Sequence, residues 1–214
     1  MVAMSTYQPP RQARARATLE RIFEGTVRLL EDRPFEALSV ADIVADAHTS
    51  VGAFYKRFSS KDALLPVLLD WIHRRQFEAI EAFVEASQWQ GVGLAGRVDA
   101  FVDALIESYQ QHHYLMKALV ARQYSTDNAQ SAEQAESAER TLRYYADWLL
   151  VCRDEIRHPD PDIAVPIGLT GLVTQAQTRL LFDARSVELS DSAFTQELKR
   201  ALLAYLGDTT DAPR

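Results

Sequence analysis

Only one of the 214 residues is a cysteine, Cys152. No intrachain disulfide and no thiolate cluster for zinc is therefore available, which fits a reducing compartment. Glycine and proline number eight each, too few for collagen-like or low-complexity sequence. No stretch approaches the ~18 uninterrupted apolar residues of a membrane helix. The opening Met-Val-Ala-Met-Ser-Thr-Tyr-Gln-Pro-Pro lacks the apolar core of a secretion signal. The expectation is a cytoplasmic protein with no membrane partner. What remains is ordinary globular material, 47% hydrophobic and 25% charged. A chain of this length can bury roughly 70% of its extended surface and needs no staple to fold.

The net charge of −7 argues against a nucleic-acid partner only if it is evenly spread, and it is not. Residues 1–75 hold 11 Lys/Arg against 9 Asp/Glu, net +2, which leaves net −9 on residues 76–214. Arg11, Arg14, Arg16, Arg21 and Arg28 lie in the first 28 residues against Glu20 and Glu24. A basic segment ahead of an acidic body suits a polyanion at one end and another task at the other; a solvated helix face explains the same charges equally well.

Apolar residues recur at helical spacing nearly throughout, and no alternating run suggests a strand, so the fold class is all-α with about nine helices. The first helix runs from about Arg14 to Asp32 and stops before Arg33-Pro34. Ser39 with Asp42 three residues on forms a capping box for a short second helix ending near Ala47. His48-Thr49-Ser50 leaves room only for a tight turn, and Ser50 caps a third helix with Phe54 and Phe58 on its inner side. A cap at Ser59-Ser60 starts a long helix to about Glu85, in which Pro66 lacks a donor and should bend the first turns. Further helices are expected over about 94–111, 114–124, from past Asn128 to about Arg157, 162–182 and 192–206.

The second and third helices make a helix-turn-helix, whose second member can enter a major groove. The outer side of that member offers Thr49, Ser50, Val51, Gly52, Ala53, Tyr55, Lys56 and Arg57, residues that are small, hydroxylated, aromatic or basic and include no acid. Gly52 leaves room for close approach of a backbone. Lys61 opens the next helix, where its charge opposes the helix dipole and could hold a phosphate.

Four stretches resemble the TetR-type transcriptional regulators: Thr26-Val-Arg-Leu-Leu-Glu-Asp-Arg-Pro-Phe35, Leu38-Ser-Val-Ala-Asp-Ile-Val-Ala-Asp-Ala47, Ser50-Val-Gly-Ala-Phe-Tyr-Lys-Arg-Phe58 and Ser60-Lys-Asp-Ala-Leu64. The resemblance covers roughly residues 14–70 and rests on Gly52, Tyr55, Phe58, Lys61 and Leu64 at these spacings. It implies an N-terminal three-helix DNA-binding domain over 1–60, with a basic arm over 1–16, and a C-terminal helical ligand-binding and dimerisation domain over 61–214. It further implies that Ser39 caps the second helix and touches phosphate, and that Thr49, Val51, Gly52 and Ala53 face base edges. Tyr55 and Lys61 would grip phosphates, Lys56 would reach a base or the backbone, and Arg11, Arg14 and Arg16 would follow the minor groove or flanking phosphates. Two positions depart from the family pattern. His48 stands where glycine is usual, so an imidazole-bearing residue would have to take a left-handed backbone. Val51 stands where a basic residue is common, which favours thymine methyls at Val51 and Ala53 and leaves Lys56 for a polar base contact.

The remaining helices are rich in aromatics. Phe101, Leu105, Tyr109, Met116, Tyr145, Trp148, Gln175 and Thr178 are the candidate lining of a cavity for a small-molecule effector, neutral or cationic given the acidic surroundings. Ordinary packing is the better account of any single one of them. The last two helices carry apolar stripes, with Ile167, Leu169, Leu172, Val173, Ala176, Leu180 and Leu181 on one and Leu198, Ala201, Leu202, Tyr205 and Leu206 on the other. Gly168 and Gly171 permit close approach. These helices should form a homodimer, and a two-fold pair of recognition helices calls for a palindromic double-stranded operator. The expected function is a ligand-responsive repressor released by its effector, not an enzyme. No cofactor or metal is expected, because His112 and His113 are adjacent and point about 100° apart on a helix. Two rivals stay open: an all-α enzyme using the bundle cavity, for which no catalytic spacing is found, and an effector-binding protein without operator function, suggested by His48 and Val51.

Overall fold

A computed structural model describes residues 13–123, 128–184 and 188–207. Among these residues there are nine α-helices, three short 3-10 turns and no strand. The helices are α1 (Ala13–Asp32), α2 (Val40–Asp46), α3 (Val51–Tyr55), α4 (Lys61–Glu85), α5 (Leu94–Gln111), α6 (His113–Gln123), α7 (Asn128–Leu150), α8 (Pro161–Leu180) and α9 (Asp191–Leu206). The chain divides into two compact units, Met1–Gln76 with Tyr114–Ala132, and Phe77–His113 with Glu133–Arg214. The division by compactness falls within α4, after Gln76.

In the first unit α1 buries Leu19, Ile22, Phe23 and Leu30 against α2. Their crossing is close, since a Cβ on Gly25 would stand 2.8 Å from Asp46 Oδ2 and 3.0 Å from the Ala47 nitrogen. Arg28 secures the same crossing with Nε and Nη2 on Asp46 Oδ2 at 3.0 and 2.7 Å. Phe54 and Phe58 fill the space below, their rings 5.3 Å apart, and Phe58 lies 6.4 Å from Phe23. Pro66 does not interrupt α4.

The second unit packs α5, α8 and α9 around Leu94, Val98, Val102, Leu169, Leu172, Leu198 and Leu202. Lys199 is buried between the helices and pairs with Asp103 at 2.8 Å and Asp99 at 3.6 Å. Helix α7 stops at Leu150, seven residues short of the expected Arg157. The chain turns there so that Glu155, at the end of a 3-10 turn, can accept from the Leu94 nitrogen at 2.8 Å and cap α5. Gly93 makes room for this contact, because a Cβ there would meet Glu155 Oε2 at 2.7 Å. A capping carboxylate 61 residues from its helix leaves no local periodic signal.

Candidate nucleic-acid interface

The helix-turn-helix is built by three local devices. At the first, Ser39 Oγ accepts from the Asp42 nitrogen at 3.1 Å, while Asp42 Oδ2 accepts from the Ser39 nitrogen at 2.9 Å and from its hydroxyl at 2.7 Å. The Ser39 hydroxyl and amide hold the Asp42 carboxyl below its ordinary value of 3.8, and Arg33 adds a smaller pull in the same direction. Ser39 is therefore the cap the sequence indicated, but both of its donors are directed to Asp42, which leaves neither for a phosphate.

The second device is the turn. His48 adopts φ 46, the left-handed geometry expected of this position. Its nitrogen donates to Ala45 O at 3.1 Å, and the Thr49 nitrogen reaches back to Val44 O at 2.9 Å. This is a complete Schellman termination with histidine in the place glycine usually holds. The third device is Ser50, whose Oγ accepts from the Ala53 nitrogen at 3.1 Å and caps α3.

These caps turn Phe54 inward, completely buried, and leave Val51 at 48% and Tyr55 at 54% exposure. Ser50, Gly52 and Lys56 are exposed as well, whereas Thr49 and Ala53 are half-buried. Among the described residues nothing lies within 4 Å of a Cβ built on Gly52. The face presents one amine, one phenol, small side chains and no carboxylate. Arg57, which the sequence places on the outer side, instead turns back: Nη1 donates to Ala53 O at 2.6 Å and Nη2 to Ala15 O at 3.2 Å, tying α3 to α1.

Lys61 requires a correction. Its Nζ donates to the carbonyls of Phe35, Glu36 and Leu38 at 3.0, 3.1 and 2.9 Å and sits 4.9 Å from the Phe35 ring centre. An ammonium has three N–H bonds, and all three are occupied. Lys61 seals the 3-10 turn Phe35–Ala37 to the start of α4, and it is not a free phosphate donor. Three carbonyls also explain how a cation is tolerated at a helix N-terminus. Arg16 is exposed on α1. The Arg14 side chain and the whole of Arg11 lie outside the described residues.

The candidate effector lining draws on both units. Met116 belongs to the first unit, where its sulfur accepts from Gln76 Nε2 at 3.7 Å. In the second unit Phe101 packs on Tyr145 with ring centres 4.7 Å apart, and burial pushes the Tyr145 phenol up to about 12. Tyr109 is buried and its hydroxyl accepts from Gln177 Nε2 at 3.2 Å, while Leu105 is half-buried. Gln175 and Thr178 are exposed and line a cleft of about 330 Å³ between α8 and α9, with Arg179, Phe194 and Glu197. Trp148 lines a different cleft. Much of the apolar stripe on α8 is core, since Leu169, Leu172, Ala176 and Leu181 are buried within the unit. Ile163 and Ile167 stay 55% and 56% exposed and Tyr205 41%. The two glycines of α8 differ: a Cβ on Gly168 would strike Leu202 at 2.6 Å, whereas Gly171 faces open space. His112 caps the end of α5 and His113 opens α6. Among the described residues no three His, Cys, Asp or Glu gather to hold a metal, and no helix is long and apolar enough to cross a membrane.

A capped pair of short helices, a left-handed turn and an acid-free outer face define a helix-turn-helix protein of the DNA-binding class. The family model of the bacterial regulatory proteins of the tetR family matches residues 22–68, and that of the tetracyclin repressor-like C-terminal domain matches residues 94–206. The chain belongs to the TetR family of DNA-binding transcriptional regulators. It is 44% identical over 59 residues to the uncharacterized HTH-type transcriptional regulator YwcC of Bacillus subtilis, a match covering 28% of this chain and 26% of that protein. A second uncharacterized regulator of that organism, YvdT, is 35% identical over 51 residues, covering 24% and 26%. The chain thus aligns with about a quarter of the length of these curated relatives. Among solved structures, a TetR transcription regulator from Haloarcula marismortui superposes with TM-score 0.63 at 18% identity, covering 88% of this chain and 96% of that one. The TetR-family transcriptional repressor FadR of Thermus thermophilus, in complex with lauroyl-CoA, superposes with TM-score 0.61 at 19% identity, covering 92% and 99%. These two likenesses concern the fold.

Proposed function

We propose that this regulator is a cytoplasmic repressor that binds a palindromic operator as a homodimer and leaves it when a small molecule occupies the C-terminal domain. The observation that carries the reading is the outer face of α3, which is exposed and free of acids, with a glycine that no described residue crowds. In this reading residues 1–60 bind DNA and residues 61–214 bind effector and partner. Val51 and Ala53 meet thymine methyls, Thr49 and Gly52 approach base edges, and Ser50 supports them as the cap. Tyr55 and Lys56 take phosphate or a polar base edge, and Arg11, Arg14 and Arg16 form the arm. Ser39 and Lys61 hold the helix-turn-helix in shape.

The exposed Ile163 and Ile167, with open space over Gly171, support association through α8 and α9. Two-fold symmetry then presents two copies of α3 to one side of the duplex. An effector that favours one spacing of those helices would shift operator affinity through a coupling of about 1–3 kcal/mol. A repressor of the same fold that holds lauroyl-CoA supports a ligand-occupied C-terminal domain.

Gel shift on the DNA upstream of the protein's own coding region is the test. The wild type should bind with strong salt dependence, and Tyr55→Phe combined with Lys56→Ala should weaken binding and flatten that dependence. Full binding by the double variant overturns the α3 assignment. Sedimentation of Ile163→Glu combined with Ile167→Glu should show monomer, and an intact dimer overturns the α8 assignment.

A further inference from the structure

Helix α3 has five residues, so its carbonyls lie close to its end, where a helix has no amide of its own to offer them. Beyond Tyr55 the Lys56 amide returns to Gly52 O, and those of Arg57 and Phe58 both return to Phe54 O, at 3.2, 2.8 and 3.1 Å. Ala53 O receives none of these three. The side chain of Arg57 closes it instead, with Nη1 donating at 2.6 Å, and a basic group on the last carbonyls is a favourable helix end.

The same guanidinium reaches out of α3. Its Nη2 donates at 3.2 Å to Ala15 O, 42 residues earlier, in the first turn of α1. A carbonyl has two lone pairs, so this contact can form without displacing a bond of α1. About two turns further along α1, Phe23 meets Phe58 with ring centres 6.4 Å apart. Phe23 thus fixes the middle of α1, and Arg57 fixes its beginning. Arg57 is half-buried, and its Nε is buried with no acceptor among the described residues, which is unfavourable. The two Nη bonds hold the guanidinium there in spite of it. Ala15 stands beside Arg16, which is exposed and has no acid paired with it among the described residues.

We propose that Arg57 is a positioning residue for operator binding: by joining Ala53 O to Ala15 O it sets Arg16 on the phosphates flanking the bases that α3 reads. The inference rests on the reading that α3 enters the groove and Arg16 belongs to the arm, and it names what holds the two contacts in one register. Phosphate contacts fix orientation on the duplex, and a cation already held in place loses less freedom on binding than one on a fraying first turn.

The test uses the full-length protein and a duplex that the wild type selects from a random-sequence pool, read by fluorescence anisotropy over a salt series. Arg16→Ala should weaken binding and flatten the salt dependence. Arg57→Met should weaken binding about tenfold and flatten the salt dependence to a similar degree, yet added to Arg16→Ala it should change affinity by less than about twofold. Arg57→Gln keeps a donor for Ala53 O and is too short and unforked to hold Ala15 O as well. It should behave as Arg57→Met does, which separates the tie to α1 from the closing of α3, and it carries the same comparison if Arg57→Met does not fold. Hydroxyl-radical footprints of both variants should lose protection at the flanks and keep it at the centre. A merely structural role would weaken binding equally with and without Arg16 and thin the whole footprint. Additive losses, or flanks still protected, overturn the proposal and leave the regulator reading standing. Wild-type affinity in Arg16→Ala overturns the arm together with this inference, and failure to select any duplex overturns the operator reading itself.

Discussion

Gly52→Ala should make the protein more stable and a poorer DNA binder, and this opposition of sign is what the structure predicts. Gly52 stands in the first turn of α3, exposed, with nothing among the described residues within 4 Å of the added methyl. Glycine costs about 1 kcal/mol against alanine in a helix interior, so the first-turn position should return about 0.5 kcal/mol on substitution, a rise of roughly 1–2 °C in Tm for a chain of this size. In the proposed complex the same methyl projects from the face assigned to the groove. Overpacking a fitted contact costs about 1–3 kcal/mol, and a two-fold dimer carries it twice, so operator affinity should fall roughly 30-fold or more. Fluorescence anisotropy on a labelled operator at fixed salt, beside thermal unfolding of the same preparations, reads both quantities. A variant that binds within about twofold of wild type would refute the close approach at Gly52. One that loses stability would show that the space over Gly52 is not open.

The other substitutions address the supports of that face. His48→Gly removes a left-handed strain of about 1–2 kcal/mol and adds about 0.5–1 kcal/mol of unfolded-state entropy, so a net gain near 0.5–1 kcal/mol should appear as a higher Tm; a lower Tm would mean that the imidazole makes a stabilising contact. Lys61→Met leaves three carbonyls without their donor, and a loss of about 1–2 kcal/mol in denaturant titrations is expected; unchanged stability would return Lys61 to the list of free phosphate donors. Asp42→Asn tests the capping box by pH. The folded carboxyl titrates below its ordinary value of 3.8, so it contributes stability above that pH and loses it as pH falls through the folded value. The wild type should be the more stable near neutrality, with the difference closing in acid, and a gap that persists in acid would refute ionic capping.

The caps and the aromatic core of the first unit were legible because they are local. Ser39 with Asp42, Ser50 before Ala53, and Phe54 with Phe58 each span three or four residues, the range over which helix geometry dictates contact. Lys61 was misread for the opposite reason. Its partners lie 23 to 26 residues back, and only the packed turn of Phe35–Ala37 brings their carbonyls together. The same holds for Arg57 on Ala15, and for Glu155 on Leu94, which cut α7 short. The effector lining is legible only in part: helical spacing tells which aromatics face inward, not which of them share a space. Trp148 alone of that set lines the cleft at the ends of α4 and α7.

The glycine and the histidine of the helix-turn-helix stand in an informative order. At the turn the backbone does need left-handed geometry, and the chain puts histidine there, holding it by the Schellman bonds from His48 and Thr49. On α3 the backbone is ordinary helix with no neighbour to clear among the described residues, and the chain puts glycine there. Folding alone would place the two the other way round, since alanine favours the helix and glycine favours the turn. The described fold therefore does not account for Gly52, which supports the proposal that this position serves a contact with the face of the duplex.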